Sequence, residues 1–312
     1  MTLAVADPTT VRALVPSLID PSRLMPLPSG LQVESYDGPV PTAPRTDVAF
    51  FVPAVPPSDA ARTVLPQLAG LEVVQVLTAG VDWIVNAIPP GVTLCNGRGV
   101  HDPSTAEWVL TVVLSMLRDI PRLVNAQQAG HWDYHYTSGL PGKTVLIVGA
   151  GSIGTAVERR LEPFGADVVR VARRPRKGTF AVTDLPHLLP EADVVVLLVP
   201  LTPATDGMVD AAFLAQMHDG ALLVNASRGR VVDTVALLAE LQSQRLRAAL
   251  DVTEPEPLPP DHPLWSAPGV LITPHVAGST EVFLDQAHRL LREQLGRHAR
   301  GEPLTNVVTE DY

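Results

Sequence analysis

The stretch KTVLIVGAGSIG, residues 143–154, constrains the fold more than any other part of the chain. A short apolar run meets three closely spaced glycines, and the helical segment TAVERRLEPFG follows at once. DVVRVA, DVVVLLVP, ALLVNAS, RAALDV and VLITPH come next, so apolar strand candidates alternate with helical segments such as TVALLAELQSQR. Strands apolar along their whole length are buried on both faces. Their alternation with helices predicts a parallel sheet covered by helices on both sides, a doubly wound α/β domain.

The first hundred residues repeat the theme on a smaller scale. VRALVP, LQVESY, DVAFFVP and LEVVQVLTAG read as buried strands bounded by Pro, Gly and Asp, with ARTVLPQLAG as a crossover helix. From Ser104, STAEWVLTVVLSMLRDI reads as a helix capped by Ser or Thr ahead of Glu107. It is apolar nearly all round, which predicts burial on more than one side and points to a homodimer through the domain that carries this helix. The last helix, EVFLDQAHRLLREQLGRHARG, is expected to pack back on the first domain. At 312 residues the chain exceeds what one core usually supports. The expected division is a discontinuous domain of residues 1–98 and 282–312, and a dinucleotide-binding domain of residues 99–281.

A formal net charge of -10 argues against nucleic acid and anionic membranes as partners. One cysteine, Cys95, excludes an internal disulfide framework and is expected to be inert. MTLAVADPTT lacks a basic start followed by an apolar core, and no apolar run reaches the roughly 18 to 20 residues that span a bilayer. A soluble, cytoplasmic protein is the expectation.

Gly149, Gly151 and Gly154, with Ser152 and Ile153 between them, match G-x-G-x-x-G in the setting that gives the pattern meaning, after a strand and opening a helix. Glycines there allow a tight turn and close approach of a pyrophosphate, whose charge the helix N-terminus stabilises. The second strand should end near the adenosine ribose, where NAD sites carry an acid. Here it ends on Ala172, followed by Arg173 and Arg174 within VARRPRK, whose cations also include Arg176 and Lys177. Asp167 lies at the wrong end of that strand. Guanidiniums without an acid beside them suit the 2′-phosphate of NADP. A solvated basic loop is the alternative.

Three further strand ends carry chemistry: Arg228 in NASRGR, Glu254 and Glu256 in DVTEPEPL, and His275 in TPHVAG. Ligands of a doubly wound sheet sit at the carboxyl ends of its strands, so these side chains are candidates to converge. Position alone leaves Arg228 as a salt-bridge residue and His275 as a core histidine equally open. His131 and His135 have the spacing of a metal pair on a helix. GHWDYHYTSG reads as a loop, however, so no metal is expected.

GAGSIG, NASRGRVVD, ALDVTEPEPLPPDHPLW and ITPHVAG together resemble the D-isomer-specific 2-hydroxyacid dehydrogenase family, nearest its glyoxylate/hydroxypyruvate reductase branch. The resemblance implies a Rossmann domain beside a smaller flavodoxin-like α/β substrate domain, with a cleft that closes over substrate. It makes His275 the general acid/base, Glu256 its partner, and Arg228 the substrate-binding arginine. LTAGVD becomes a carboxylate cradle through the backbone near Ala79 and Gly80, so Ala79, Gly80, Arg228 and His275 bind substrate. Pro200, Ala226, Ser227, Asp251 and Gly278 join the glycine loop, Arg173 and Arg174 around the cofactor. NAD-using members carry Asp where this chain has Ala172.

The implied reaction is reduction of a small 2-keto acid to the D-2-hydroxy acid with NADPH. Such a reaction needs a proton for the developing alkoxide and a cation for the carboxylate, which histidine and arginine supply near neutral pH. An NAD-dependent dehydrogenase of another 2-hydroxy acid is the alternative among enzymes. A nucleotide-sensing, corepressor-like regulator is the alternative of another class.

Overall fold

The computed structural model describes residues 11–38 and 45–309. The chain divides into two compact units, one of Met1–His101 with Glu281–Tyr312 and one of Asp102–Thr280.

In the first unit β1 (Val11–Pro16), β2 (Leu31–Tyr36), β3 (Val48–Phe51), β4 (Val73–Gln75) and β5 (Thr93–Cys95) form one parallel sheet in the order β2-β1-β3-β4-β5. That is the flavodoxin-like order. The strands alternate their burial in the way a pleated sheet requires. Ala13, Val15, Phe50 and Val73 enter one core. Leu14, Phe51 and Val74 enter the other, beneath α1 (Ala60–Val64) and the 3-10 turn Leu65–Gln67.

The second unit opens with α2 (Asp102–Leu117) and α3 (Ile120–Gln128). Its sheet strands are β6 (Thr144–Val148), β7 (Asp167–Ala172), β8 (Phe180–Ala181), β9 (Val194–Leu197), β10 (Leu222–Asn225), β11 (Arg247–Leu250) and β12 (Val270–Ile272). They run parallel in the order β12-β11-β10-β9-β6-β7-β8. The reversal beside β6 is the switch point of a Rossmann sheet. Val145, Ile147, Val194 and Val196 pack under α2 and α4 (Ser152–Leu161). Leu146, Val148, Val195 and Leu197 face α5 (Leu185–Leu188), α6 (Ala211–Gln216) and α7 (Thr234–Gln242). Two-sided burial explains the unbroken apolar strands, each fully buried Val or Leu side chain contributing about 1.5–3 kcal/mol.

One boundary and one strand differ from the sequence reading. Helix α2 starts at Asp102, so Ser104 lies inside it and does not cap it. Pro103 falls in the first turn, where its missing N–H costs nothing. The Ser104 hydroxyl instead meets the Thr280 hydroxyl at 2.6 Å. Strand β8, only two residues long, carries no periodic pattern that sequence could show.

Helix α8 (Val282–Ala299) belongs to the first unit. Phe283, Ala287, Leu290, Leu291 and Leu295 join the core of Ala13, Val15 and Phe50. A buried amide pair fixes its position: Gln294 Nε2 donates to Gln75 Oε1 at 2.7 Å and to the Thr305 carbonyl at 2.8 Å. No helix among the described residues is long and apolar enough to cross a membrane.

Candidate active site

The glycine loop is shaped by close backbone contacts. Gly149 has φ +115°, and a Cβ there would stand 2.5 Å from the Leu198 carbonyl oxygen. A Cβ on Gly154 would stand 2.5 Å from the Gly149 carbonyl oxygen, so these two glycines let the turn and α4 pack together. Gly151 differs. A Cβ on it meets nothing within 4 Å, so it borders open space at the start of α4, where a pyrophosphate would approach. Ser152 Oγ donates to Asp102 Oδ1 at 3.1 Å, and Ile153 packs on the α2–α4 core. These residues fit a dinucleotide.

The end of β7 lies directly alongside. The Gly149 and Ala150 amides both donate to the Val171 carbonyl at 3.0 Å, which sets the glycine loop beside Ala172. Ala172 is buried, and Arg173 and Arg174 leave the strand into exposed backbone. Asp167 begins the strand, at the opposite end. Sequence reading treated Arg176 only as part of a charge cluster. In the structure its Nη2 donates to the Ala150 carbonyl at 2.5 Å, so this guanidinium reaches the glycine loop. Contact between residues 26 positions apart carries no spacing signal.

His275 follows β12 in an unusual conformation, with φ +54°. A non-glycine residue in the left-handed region costs on the order of 1–3 kcal/mol unless its surroundings enforce it. Here Asp251, buried at the end of β11, enforces it. The His275 amide donates to the Asp251 carbonyl at 2.8 Å. The Asp251 carboxylate accepts from the Val276 amide, the Ala277 amide and the Thr273 hydroxyl at 2.9, 2.9 and 2.6 Å. Trp108 Nε1 in turn donates to Thr273 Oγ1 at 3.1 Å. Asp251 thus spends its oxygens on the loop that carries His275.

The imidazole Nδ1 lies 2.6 Å from Glu256 Oε1, both side chains being partly exposed. A carboxylate accepts, so Nδ1–H donates and Nε2 is left to exchange a proton. The hydrogen bond and charge of Glu256 raise the His275 pKa above its ordinary value, against burial and the nearby Arg228 charge; Asp251 adds to the rise. Glu254, the competing acid, is exposed, and its backbone carbonyl accepts from Thr234 Oγ1 at 3.0 Å.

Arg228 follows β10 and lies close enough to His275 for its charge to be felt there. Its Nη1 donates to the Ser227 carbonyl at 2.8 Å. Next to it, a Cβ on Gly229 would stand 1.9 Å from the Thr253 carbonyl oxygen, so the loops after β10 and β11 touch backbone to backbone. Ala226 donates its amide to the Leu197 carbonyl at 3.3 Å, and the Pro200 carbonyl accepts from Thr205 Oγ1 at 2.6 Å. Gly278 is half-buried in the turn after His275.

Ala79 and Gly80 belong to the other unit. Their loop is closed by the Thr78 hydroxyl donating to the Gly80 carbonyl at 2.8 Å and by Trp83 Nε1 donating to Thr78 Oγ1 at 3.2 Å. Cys95 is buried, and burial pushes its thiol up to about 11. His135 Nε2 lies 3.3 Å from Asp119 Oδ2 in a segment without helix or strand. No group of three or more His, Cys, Asp or Glu side chains suited to a metal occurs among the described residues.

A switch-point glycine loop, a second strand followed by arginines and a paired histidine at another strand end of the same sheet define a nicotinamide-dinucleotide oxidoreductase. The family model for the NAD-binding domain of D-isomer specific 2-hydroxyacid dehydrogenases matches residues 110–277. The chain belongs to that family of NAD(P)-dependent oxidoreductases. The glyoxylate reductase/hydroxypyruvate reductase of Homo sapiens is 32% identical over 254 residues, 77% of this chain and 77% of that protein. D-3-phosphoglycerate dehydrogenase of Methanocaldococcus jannaschii is 34% identical over 258 residues, 79% of this chain; the match spans only 49% of that longer protein. A D-isomer specific 2-hydroxyacid dehydrogenase from Xanthobacter autotrophicus Py2, solved with NADPH and MES, superposes with a TM-score of 0.82 at 32% identity, covering 96% of this chain and 98% of the other.

Proposed function

We propose that this chain is an NADPH-dependent reductase of small 2-keto acids, glyoxylate and hydroxypyruvate among them, forming the D-2-hydroxy acid. The 2.6 Å pairing of His275 with Glu256, at a strand end of a dinucleotide-binding sheet, carries the reading. The name of the human relative supports the substrate class.

The bound cofactor supplies the hydride that adds to the keto carbon. His275 Nε2 gives the carbonyl oxygen its proton, and Glu256 steadies the imidazolium beforehand through Nδ1. Arg228 holds the carboxylate and stabilises charge on the developing alkoxide. Ala79 and Gly80 contribute to substrate binding through backbone N–H groups, which makes their unit the substrate domain. Gly149, Gly151, Ser152, Ile153 and Gly154 hold the pyrophosphate, with Pro200, Ala226, Ser227 and Gly278 around the rest of the dinucleotide. Asp251 contributes beneath the His275 loop.

NADP preference is supported by Ala172 at the β7 end, by Arg173 and Arg174 after it, and by the Arg176 contact with the glycine loop. The NADPH complex of the Xanthobacter structure agrees. Changing Arg173 and Arg174 together to Ala is expected to raise the NADPH KM far more than the NADH KM. A lost charged contact costs about 1.5–3 kcal/mol, roughly 10- to 150-fold. Equal use of both cofactors by the unmodified enzyme would contradict NADP preference.

A homodimer through the dinucleotide-binding domain is part of the proposal. Half of the residues of α2 are buried within that unit. Large aromatic side chains stand exposed shortly after α3: Trp132 at 90%, Tyr134 at 78% and Tyr136 at 93%. Patches of this kind mark association surfaces. The single buried cysteine supports a reducing, cytoplasmic setting.

A further inference from the structure

We infer that Asn225 is a positioning residue for Arg228, resting on the reading of Arg228 as the group that holds the substrate carboxylate. Asn225 is the last residue of β10, fully buried and polar in an otherwise aliphatic strand. Its Oδ1 accepts from the Ser227 amide at 3.0 Å and from the Ser227 hydroxyl at 2.6 Å. Its Nδ2 donates to the Arg228 carbonyl at 2.9 Å. One side chain therefore grips the residue before Arg228 and the far side of Arg228 itself, folding 225–228 into a closed turn.

The chemistry of the amide is required in this orientation. Oδ1 faces two donors and Nδ2 faces an acceptor, so a reversed amide or a carboxylate would set like against like. Asparagine answers both needs. The Arg228 backbone is fixed from the other side as well, since Gly229 abuts the Thr253 carbonyl. The main chain adds a link, the Asp251 amide donating to the Asn225 carbonyl at 3.0 Å. Asn225 thus does for Arg228 what Asp251 does for the His275 loop: a buried side chain at a strand end sets the backbone from which a functional group departs.

The decisive variant is Asn225→Asp, which keeps the Oδ1 acceptor and replaces the Nδ2 donor by an oxygen facing the Arg228 carbonyl. Oxalate, a dicarboxylate that cannot be reduced, is titrated into the enzyme–NADPH complex, and NADPH binding is measured separately. Asn225→Asp is expected to weaken oxalate roughly 10-fold or more, the scale of one charged hydrogen bond, with a smaller change in NADPH affinity. Arg228→Ala should weaken oxalate at least as much. Adding Asn225→Asp to Arg228→Ala should cause little further loss, because a positioning residue has nothing left to position. If Asn225→Asp does not fold, Ser227→Ala, which removes the 2.6 Å bond into Oδ1, is expected to weaken oxalate as well. Unchanged oxalate binding in the folded Asn225 variant, or equal losses with and without Arg228, would overturn the inference while leaving the role of Arg228 intact. Unchanged binding in Arg228→Ala would overturn both.

Discussion

The proposed chemistry turns on His275 and Glu256, and their pairing is what a pH profile would read. Glu256 raises the His275 pKa, chiefly through the 2.6 Å hydrogen bond, so the imidazolium persists to higher pH than in an isolated histidine. Reduction needs that protonated form. The kcat/KM for a keto acid should therefore fall as pH rises through the raised pKa, and oxidation of the hydroxy acid should show the opposite limb. Replacing Glu256 by Gln removes the negative partner, so the reductive limb should move to lower pH in a steady-state pH profile. An unmoved limb would leave His275 without this partner. His275→Ala should lower kcat by roughly 10²- to 10⁴-fold with cofactor binding largely kept, checked by fluorescence titration of NADPH. At this scale the sequence was informative about residue types and poor about partners. Glu254 and Glu256 stand two apart in a Pro-rich loop, and no periodicity says which carboxylate turns toward histidine. The left-handed backbone of His275 was equally hidden, because its cause is an aspartate 24 positions earlier in the chain.

Elements hold these residues through contacts that leave little tolerance. Gly229→Ala would place a Cβ 1.9 Å from the Thr253 carbonyl oxygen, and backbone on both sides must shift to relieve it. The variant is expected to lose well over half its activity and to melt several degrees lower, read by calorimetry alongside the assay. In the first unit, Gln294→Leu would leave Gln75 Oε1 without its 2.7 Å donor and the Thr305 amide without its 2.9 Å acceptor. Each orphaned buried group costs roughly 1–3 kcal/mol, which urea unfolding would measure. The long apolar strands were legible because burial on both faces dictates their composition. The two-residue β8 was not, since a piece that short owes its form to a neighbour already in the sheet, and β5 lacks the longer apolar run that marks β4 and β12. The start of α2 was misplaced for a related reason: Ser104 has the chemistry of a cap, but its hydroxyl is committed to Thr280.

At the scale of the whole molecule, two parallel sheets follow from apolar runs alternating with helices, with β5 and β8 completing the five and seven strands seen among the described residues. Helix α2, apolar nearly all round, has half of its residues buried against sheet and helix of its own unit. The exposed aromatics lie in a segment whose glycines and polar residues concealed them. Changing Trp132, Tyr134 and Tyr136 together to Ser is expected to shift the protein from dimer to monomer in sedimentation velocity, while a dimer that survives would place the interface elsewhere. The central claim, reduction of small 2-keto acids with NADPH, is tested most directly by kcat/KM for a panel of 2-keto acids with each nicotinamide cofactor. The account predicts the highest values for glyoxylate and hydroxypyruvate with NADPH, well above those with NADH and above those for branched or aromatic keto acids. Turnover confined to a bulky keto acid, or none with any member of the panel, would contradict it.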